Sequence, residues 1–145
     1  MTVDLTPIRV LVVDDDPDIY ELITAIAVDH PLVTAVGGAR SPEEALVLSR
    51  RVPPDAILLD HHFVTADAPT PDEAASGMPL RGMTGLEAVE FLRAAAPNAV
   101  IAIYTGNDGL AGSAENSGAD LYLLKGDDPR HALDRLTKET LRRRR

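Results

Sequence analysis

The chain has 145 residues, 45% of them hydrophobic, no cysteine and a formal net charge of −9. This length suits one domain around one core and is too short for two of ordinary size; the lack of cysteine excludes a disulfide framework and thiolate zinc sites. Lys138 and Arg142 to Arg145 against Glu139 give the last eight residues a charge of +4, so the rest carries −13 and repels nucleic-acid phosphate.

No apolar run approaches the roughly 20 residues of a membrane span, and Met1 to Arg9 lacks a basic segment followed by an apolar stretch. The expectation is a single domain over 1–145, soluble and cytoplasmic, with no nucleic-acid or membrane partner. The basic end, 142–145, reads as a solvated tail favourably placed at a helix C-terminus.

Ile8 to Val13 is apolar and β-branched at successive positions, the pattern of a strand buried on both faces. A helix follows, with Asp16 as N-cap, Pro17 in the first turn, Ile19, Leu22, Ile23 and Ile26 on its apolar side, and Pro31 as its stop. Leu32 to Val36 is predicted as a second strand that Gly37-Gly38 breaks. Ser41-Pro42-Glu43-Glu44 reads as a capping box opening a second helix through Ala45, Leu46, Leu48 and Ser49 toward Pro53-Pro54. Ala56 to Leu59 is the third strand, and Gly85 to Ala96 a third helix with Leu86, Val89 and Leu92 on one side and Pro97 beyond its end.

Between these lies 61–84, with Pro69, Pro71, Pro79, Gly77 and Gly82, longer and richer in breakers than most connections. Val100 to Tyr104 is the fourth strand. Asn107 to Ser117, interrupted by Gly109 and Gly112, allows only a short, weak helix, because an interior Gly costs about 1 kcal/mol against Ala. Leu121 to Leu124 is the fifth strand, and Asp128-Pro129 opens a last helix carrying Leu133, Leu136 and Leu141.

Strands alternating with helices imply an α/β fold, a doubly wound five-stranded parallel sheet with helices on both faces. The flavodoxin-like order 2-1-3-4-5 is the natural choice, because it sets the first and third strands side by side where ligands bind. Polar residues stand at the C-terminal ends of four apolar runs: Asp14-Asp15-Asp16, Asp60, Thr105 and Lys125. In a parallel sheet those ends share one edge, so carboxylates, a hydroxyl and an ammonium would converge there, a set suited to a divalent cation and a phosphoryl group.

With these residues in place, the chain resembles the receiver domain of bacterial two-component response regulators over about residues 8 to 141. The matching segments are Val12-Val13-Asp14-Asp15, Pro54 to Asp60, Thr105-Gly106, and Gly118-Ala119-Asp120-Leu121-Tyr122-Leu123-Leu124-Lys125. The resemblance implies that Asp60 is the phosphoacceptor for a phosphoryl group from a histidine kinase or histidine phosphotransfer protein. It implies Mg²⁺ held by Asp14, Asp15, Asp60 and the backbone carbonyl of His62, with Asp14 acting largely through water. It implies phosphoryl contacts from Thr105 and Lys125, room for the phosphoryl group at Gly106, and a switch in which Thr105 moves and Tyr122 turns inward. The resulting expectation is a stand-alone switch, a monomer or weak homodimer with an unknown downstream protein target and no catalytic output of its own beyond gain and loss of its aspartyl phosphate.

The chain also departs from the family pattern. Met78-Pro79 and Gly82 to Gly85 look like a family signature displaced by roughly 15 residues, which makes 61–84 an insertion beside the site. It reads either as a surface loop without a role or as a lid; Asp67, Asp72 and Glu73 within it read as solvating charges rather than ligands. Gly126 follows Lys125 where the family has Pro, which removes a rigid turn. His61-His62 reads as structural or modulatory, since adjacent strand residues face opposite ways, and Tyr122 has the simpler reading of a core aromatic. Two other functions stay open: a degenerate receiver that binds partners without phosphorylation, and a phosphatase of the haloacid dehalogenase type with Asp14 as nucleophile, which would leave Asp60 unexplained.

Overall fold

The computed structural model describes residues 6–61, 63, 83–106, 109 and 117–144. Within them run β1 (Ile8–Val13), α1 (Pro17–Ala27), β2 (Val33–Ala39), α2 (Pro42–Arg51), β3 (Ala56–Leu59), α3 (Gly85–Ala95), β4 (Val100–Thr105), β5 (Leu121–Leu124) and α4 (Pro129–Arg143). The five strands form one parallel sheet in the order β2-β1-β3-β4-β5. The expected fold class and strand order are those of the structure. The weak helix read over Asn107 to Ser117, and most of 61–84 with Met78, Pro79 and the acidic residues between 67 and 73, fall outside the described residues.

Strand alternation divides the core in two, since successive side chains face opposite ways. Leu11, Val13, Ile57, Leu59, Ile101 and Ile103 pack with Leu46 of α2 and Val89 and Leu92 of α3. Val10, Val12, Leu58, Ala102, Tyr104 and Leu123 pack with Ile23 of α1 and Leu133 and Leu136 of α4. Each central strand is thus covered on both sides, which explains its uninterrupted apolar run. On α1, Ile23 is fully buried while Leu22 is 42% exposed, so Leu22 lies at the margin of the stripe rather than in the core.

The helix starts follow from local chemistry. Asp16 accepts a hydrogen bond from the Asp18 N–H and caps α1, Ser41 accepts from Glu44 N–H and caps α2, and Asp128 accepts from Arg130 N–H and caps α4. At α2 only half of the expected capping box forms, because the Glu44 carboxylate takes the Arg40 N–H instead of the Ser41 N–H. The complete box belongs to α3, between Thr84 and Glu87.

Two expectations are corrected. Gly37 and Gly38 do not end β2; they are paired with Leu11 and Val12 of β1 and the strand runs on to Ala39. Pairing keeps the backbone extended, and Gly38 leaves space for the ring of Tyr20, which a Cβ there would approach to 2.8 Å. The basic end is not a solvated tail either: Arg142 and Arg143 belong to α4, and the Arg143 guanidinium meets the Asp120 carboxylate at 2.9 Å. Arg144 reaches the Thr6 carbonyl at 2.5 Å and lies 3.8 Å from Asp55. Asp120, at the opposite sheet edge from Asp60, also accepts from Arg93 at 2.7 Å and from the Ile101 N–H at 2.8 Å, so α3, β4 and α4 are fastened to one carboxylate.

Candidate functional site

The residues at the C-terminal sheet edge are placed by ladder bonds that continue one step past the strands. Asp14 N–H donates to the Ala39 carbonyl, Asp60 N–H to the Val13 carbonyl, and Lys125 N–H to the Thr105 carbonyl, each at 2.9 Å. Parallel pairing therefore fixes the backbones of residues from β1, β3 and β5 beside one another, whatever their side chains do. The side chains do converge: carboxylate oxygens of Asp14, Asp15 and Asp60 all lie within 4.8 Å of one another.

Lys125 binds this cluster from the β5 side. Its ammonium donates to Asp14 Oδ2 at 2.6 Å and lies 3.3 Å from Asp60 Oδ1. Asp14 Oδ1 accepts the Asp16 N–H at 2.9 Å, so both oxygens of Asp14 are engaged. Asp60 Oδ1 accepts the His61 N–H at 2.8 Å, and among the described residues Asp60 Oδ2 takes no hydrogen bond.

The electrostatics follow from burial. Desolvation, and next the charge of Asp14, raise the Asp60 carboxyl above its ordinary value; Lys125 and the His61 N–H act in the opposite direction without offsetting them. At Lys125 burial works against the charge, but the hydrogen bond to Asp14 and the nearby Asp60 outweigh it and the ammonium is held above its usual value. The site thus carries more negative charge than one lysine balances, with Asp14 and Asp60 buried.

Thr105 is the last residue of β4 and is buried. Among the described residues a Cβ at Gly106 would meet no atom within 4 Å. Tyr122 is half-buried, packed on the α2/α3 side of the sheet. His62 lies outside the described residues. Asp16 serves as the α1 cap.

Two features were missed in the sequence. Gly85, at the start of α3, lies against the backbone of Asp60: a Cβ on it would be 1.9 Å from the Asp60 carbonyl oxygen, and its N–H donates to the His61 carbonyl at 2.9 Å. The pattern Thr84-x-x-Glu87 signals the start of α3, but no local pattern tells that this start abuts Asp60. The second is Tyr104, whose ring lies 6.0 Å from the Lys125 ammonium.

Comparison with known proteins agrees with this geometry. No family model matches the chain. The DNA-binding response regulator MtrA of Mycolicibacterium smegmatis is 31% identical over 134 residues, covering 88% of this chain and 48% of MtrA. A solved two-component response regulator of the LuxR family from Aurantimonas sp. SI85-9A1 superposes with a TM-score of 0.73 at 25% identity, covering 93% of this chain and 86% of that one. The chain carries a receiver domain of the two-component response regulators. A response regulator from Burkholderia pseudomallei, described with a phosphorylated aspartic acid, a calcium ion and citrate, shares the receiver fold at a TM-score of 0.67 and 24% identity, covering 91% of this chain and 68% of that one. This receiver domain spans about half the length of MtrA. No described helix is long and apolar enough to cross a membrane.

Proposed function

We propose that the receiver domain is a phosphorylation-dependent switch that accepts a phosphoryl group onto Asp60 from a histidine kinase or histidine phosphotransfer protein. The observation that carries this reading is the state of the two buried carboxylates. Both oxygens of Asp14 are tied, whereas among the described residues Asp60 Oδ2 takes no hydrogen bond in the same cluster. Asp60 is therefore the better-placed nucleophile, which counts against the dehalogenase-type phosphatase. In the step proposed, a bond forms between the Asp60 oxygen and phosphorus as the phosphorus–nitrogen bond of phosphohistidine breaks, and its electron pair returns to the imidazole.

The donor set fits a hard divalent cation: three carboxylates within 4.8 Å and an Asp60 carboxyl that burial and Asp14 hold in need of positive charge. Asp14, Asp15 and Asp60 would hold Mg²⁺, with the His62 carbonyl as the further ligand. When bound, the ion offsets repulsion between the anionic nucleophile and its anionic donor.

Lys125 pairs with Asp14 and Asp60 in the resting site, and its flexible stem would let the ammonium turn from Asp14 to a phosphoryl oxygen. Thr105 would supply a hydroxyl to another oxygen, and Gly106 would leave room for entry. Contacts of Lys125 and Thr105 with the phosphoryl group would be made only in the phosphorylated state, at the expense of the Lys125 bond to Asp14. They would bias the packing of β4 and β5, with Tyr122 as the aromatic that responds. We place the protein in the cytoplasm, as a monomer or weak homodimer with a protein target downstream.

Incubation with acetyl phosphate and Mg²⁺, followed by intact mass and hydroxylamine treatment, tests the proposal on wild type, Asp14→Asn and Asp60→Asn. A hydroxylamine-labile adduct lost in Asp60→Asn is the expected outcome. An adduct that needs Asp14 instead, with turnover of phosphate esters, would favour the phosphatase; no adduct in wild type would leave a degenerate receiver that only binds partners.

A further inference from the structure

Lys125 sits in a turn that the Asp127 N–H closes onto the Leu124 carbonyl at 3.2 Å. Gly126 follows it, and among the described residues a Cβ at Gly126 would meet no atom within 4 Å, so the turn fixes the backbone of Lys125 and no side chain at 126 packs on its stem. The ammonium nevertheless occupies a defined place, 2.6 Å from Asp14 and 3.3 Å from Asp60. Those carboxylates attract it but do not set the direction from which a flexible four-carbon stem approaches.

Tyr104 supplies that direction. It precedes Thr105 on β4, is 3% exposed, and is packed among Val12, Leu58, Leu123 and Leu133 on the α1/α4 side. Its ring is fixed by this packing, and its centroid is 6.0 Å from Lys125 Nζ, within reach of a cation–π attraction. Burial raises its phenol above the ordinary value and the nearby Lys125 charge acts the other way. A leucine would keep an apolar side chain in most of that space, yet it would present no electron-rich face to the ammonium.

We propose that Tyr104 is a positioning residue whose ring holds the Lys125 ammonium between Asp14 and Asp60, a restraint on the side chain that the backbone hydrogen bonds of the turn do not provide. The inference rests on the reading of Asp60 as phosphoacceptor and deepens it by adding a residue that acts through Lys125. The ring, not the hydroxyl, is the effective part.

The test compares the full chain as wild type, Tyr104→Leu and Tyr104→Phe. One readout is the initial rate of adduct formation from acetyl phosphate with Mg²⁺. The other is the proton shift of the Lys125 ε-methylene in a ¹H–¹³C spectrum, assigned with Lys125→Arg. In wild type the ring moves that resonance upfield of its unfolded position; Tyr104→Leu loses the displacement and slows the rate about three- to tenfold, and Tyr104→Phe restores both. Thermal melts establish that the leucine variant is folded. A Lys125 resonance at its unfolded position in wild type, or a leucine variant as fast as wild type, overturns the proposal. Absence of any adduct in wild type defeats the phosphoacceptor reading instead, and the Lys125 resonance then decides the role of Tyr104 alone.

Discussion

Gly85 and Asp60 are 25 positions apart in sequence, yet the first residue of α3 lies so close to Asp60 that a Cβ on Gly85 would stand 1.9 Å from the Asp60 carbonyl oxygen and 3.0 Å from the His61 Cα. The Gly85 N–H donates to the His61 carbonyl. The long segment between them therefore leaves and returns beside the nucleophile, and the first residue of α3 abuts the backbone just past β3. Closing a long loop costs little more than closing a short one, since the entropy grows only with the logarithm of length.

Gly85→Ala tests this contact. On helix propensity alone the change would stabilise α3 by about 1 kcal/mol. Forcing the Asp60 carbonyl aside should outweigh that gain, with a net loss of roughly 1 to 3 kcal/mol. The urea midpoint should fall, and adduct formation at Asp60 should slow with it. An alanine variant more stable than wild type would show that the contact is looser than described.

The raised Asp60 carboxyl has a consequence for stability against pH. The folded chain binds that proton more tightly than the unfolded chain does, so stability is greatest below the ordinary value of 3.8 and declines as pH rises through the raised folded value. In EDTA, Asp60→Asn should therefore be more stable than wild type at neutral pH, with the difference vanishing below pH 3.8. Denaturation midpoints across pH check this; a variant less stable than wild type at neutral pH would contradict it.

The two glycines of β2 make a paired test. A Cβ at Gly37 would rest at an ordinary 3.6 Å from Leu11, whereas one at Gly38 would press on the Tyr20 ring at 2.8 Å. Gly37→Ala should be neutral or stabilising by up to about 1 kcal/mol, from the entropy of the unfolded chain. Gly38→Ala should lose about 1 kcal/mol or more. Chemical denaturation of both variants decides it, and equal effects would contradict the account.

Removal of Asp120 should cost roughly 2 to 3 kcal/mol, because its buried carboxylate joins Arg93, Arg143 and the Ile101 N–H. This edge lies away from Asp60, so Asp120→Ala should lower the melting temperature while leaving adduct formation per folded molecule unchanged. A loss of adduct in fully folded variant would show coupling across the sheet.

The sheet was legible because its signal is redundant: apolar runs such as Ile57 to Leu59 and Ile101 to Ile103 are buried on both sides and can be little else. The site was legible for a related reason, since Asp14, Asp60, Thr105 and Lys125 each close such a run and parallel pairing aligns the run ends. Gly37 and Gly38 misled because glycine weakens a strand locally while pairing with β1 holds it extended. The α2 capping box formed only in part because the Arg40 N–H competed for Glu44. Arg143 and Arg144 looked solvated because Asp120 and Asp55, their partners, are distant in sequence. Tyr104 and Gly85 act through contacts that have no periodicity, so only the folded chain displays them.

The most direct measurement of the central claim is chemical mapping of the phosphoryl group. After reaction with acetyl phosphate and Mg²⁺, borohydride converts an aspartyl phosphate to homoserine, which peptide mass spectrometry can place. Homoserine at position 60, with Asp14 and Asp15 unmodified, is the result predicted. Homoserine at position 14, or at none of the three, would contradict the assignment of Asp60 as the nucleophile.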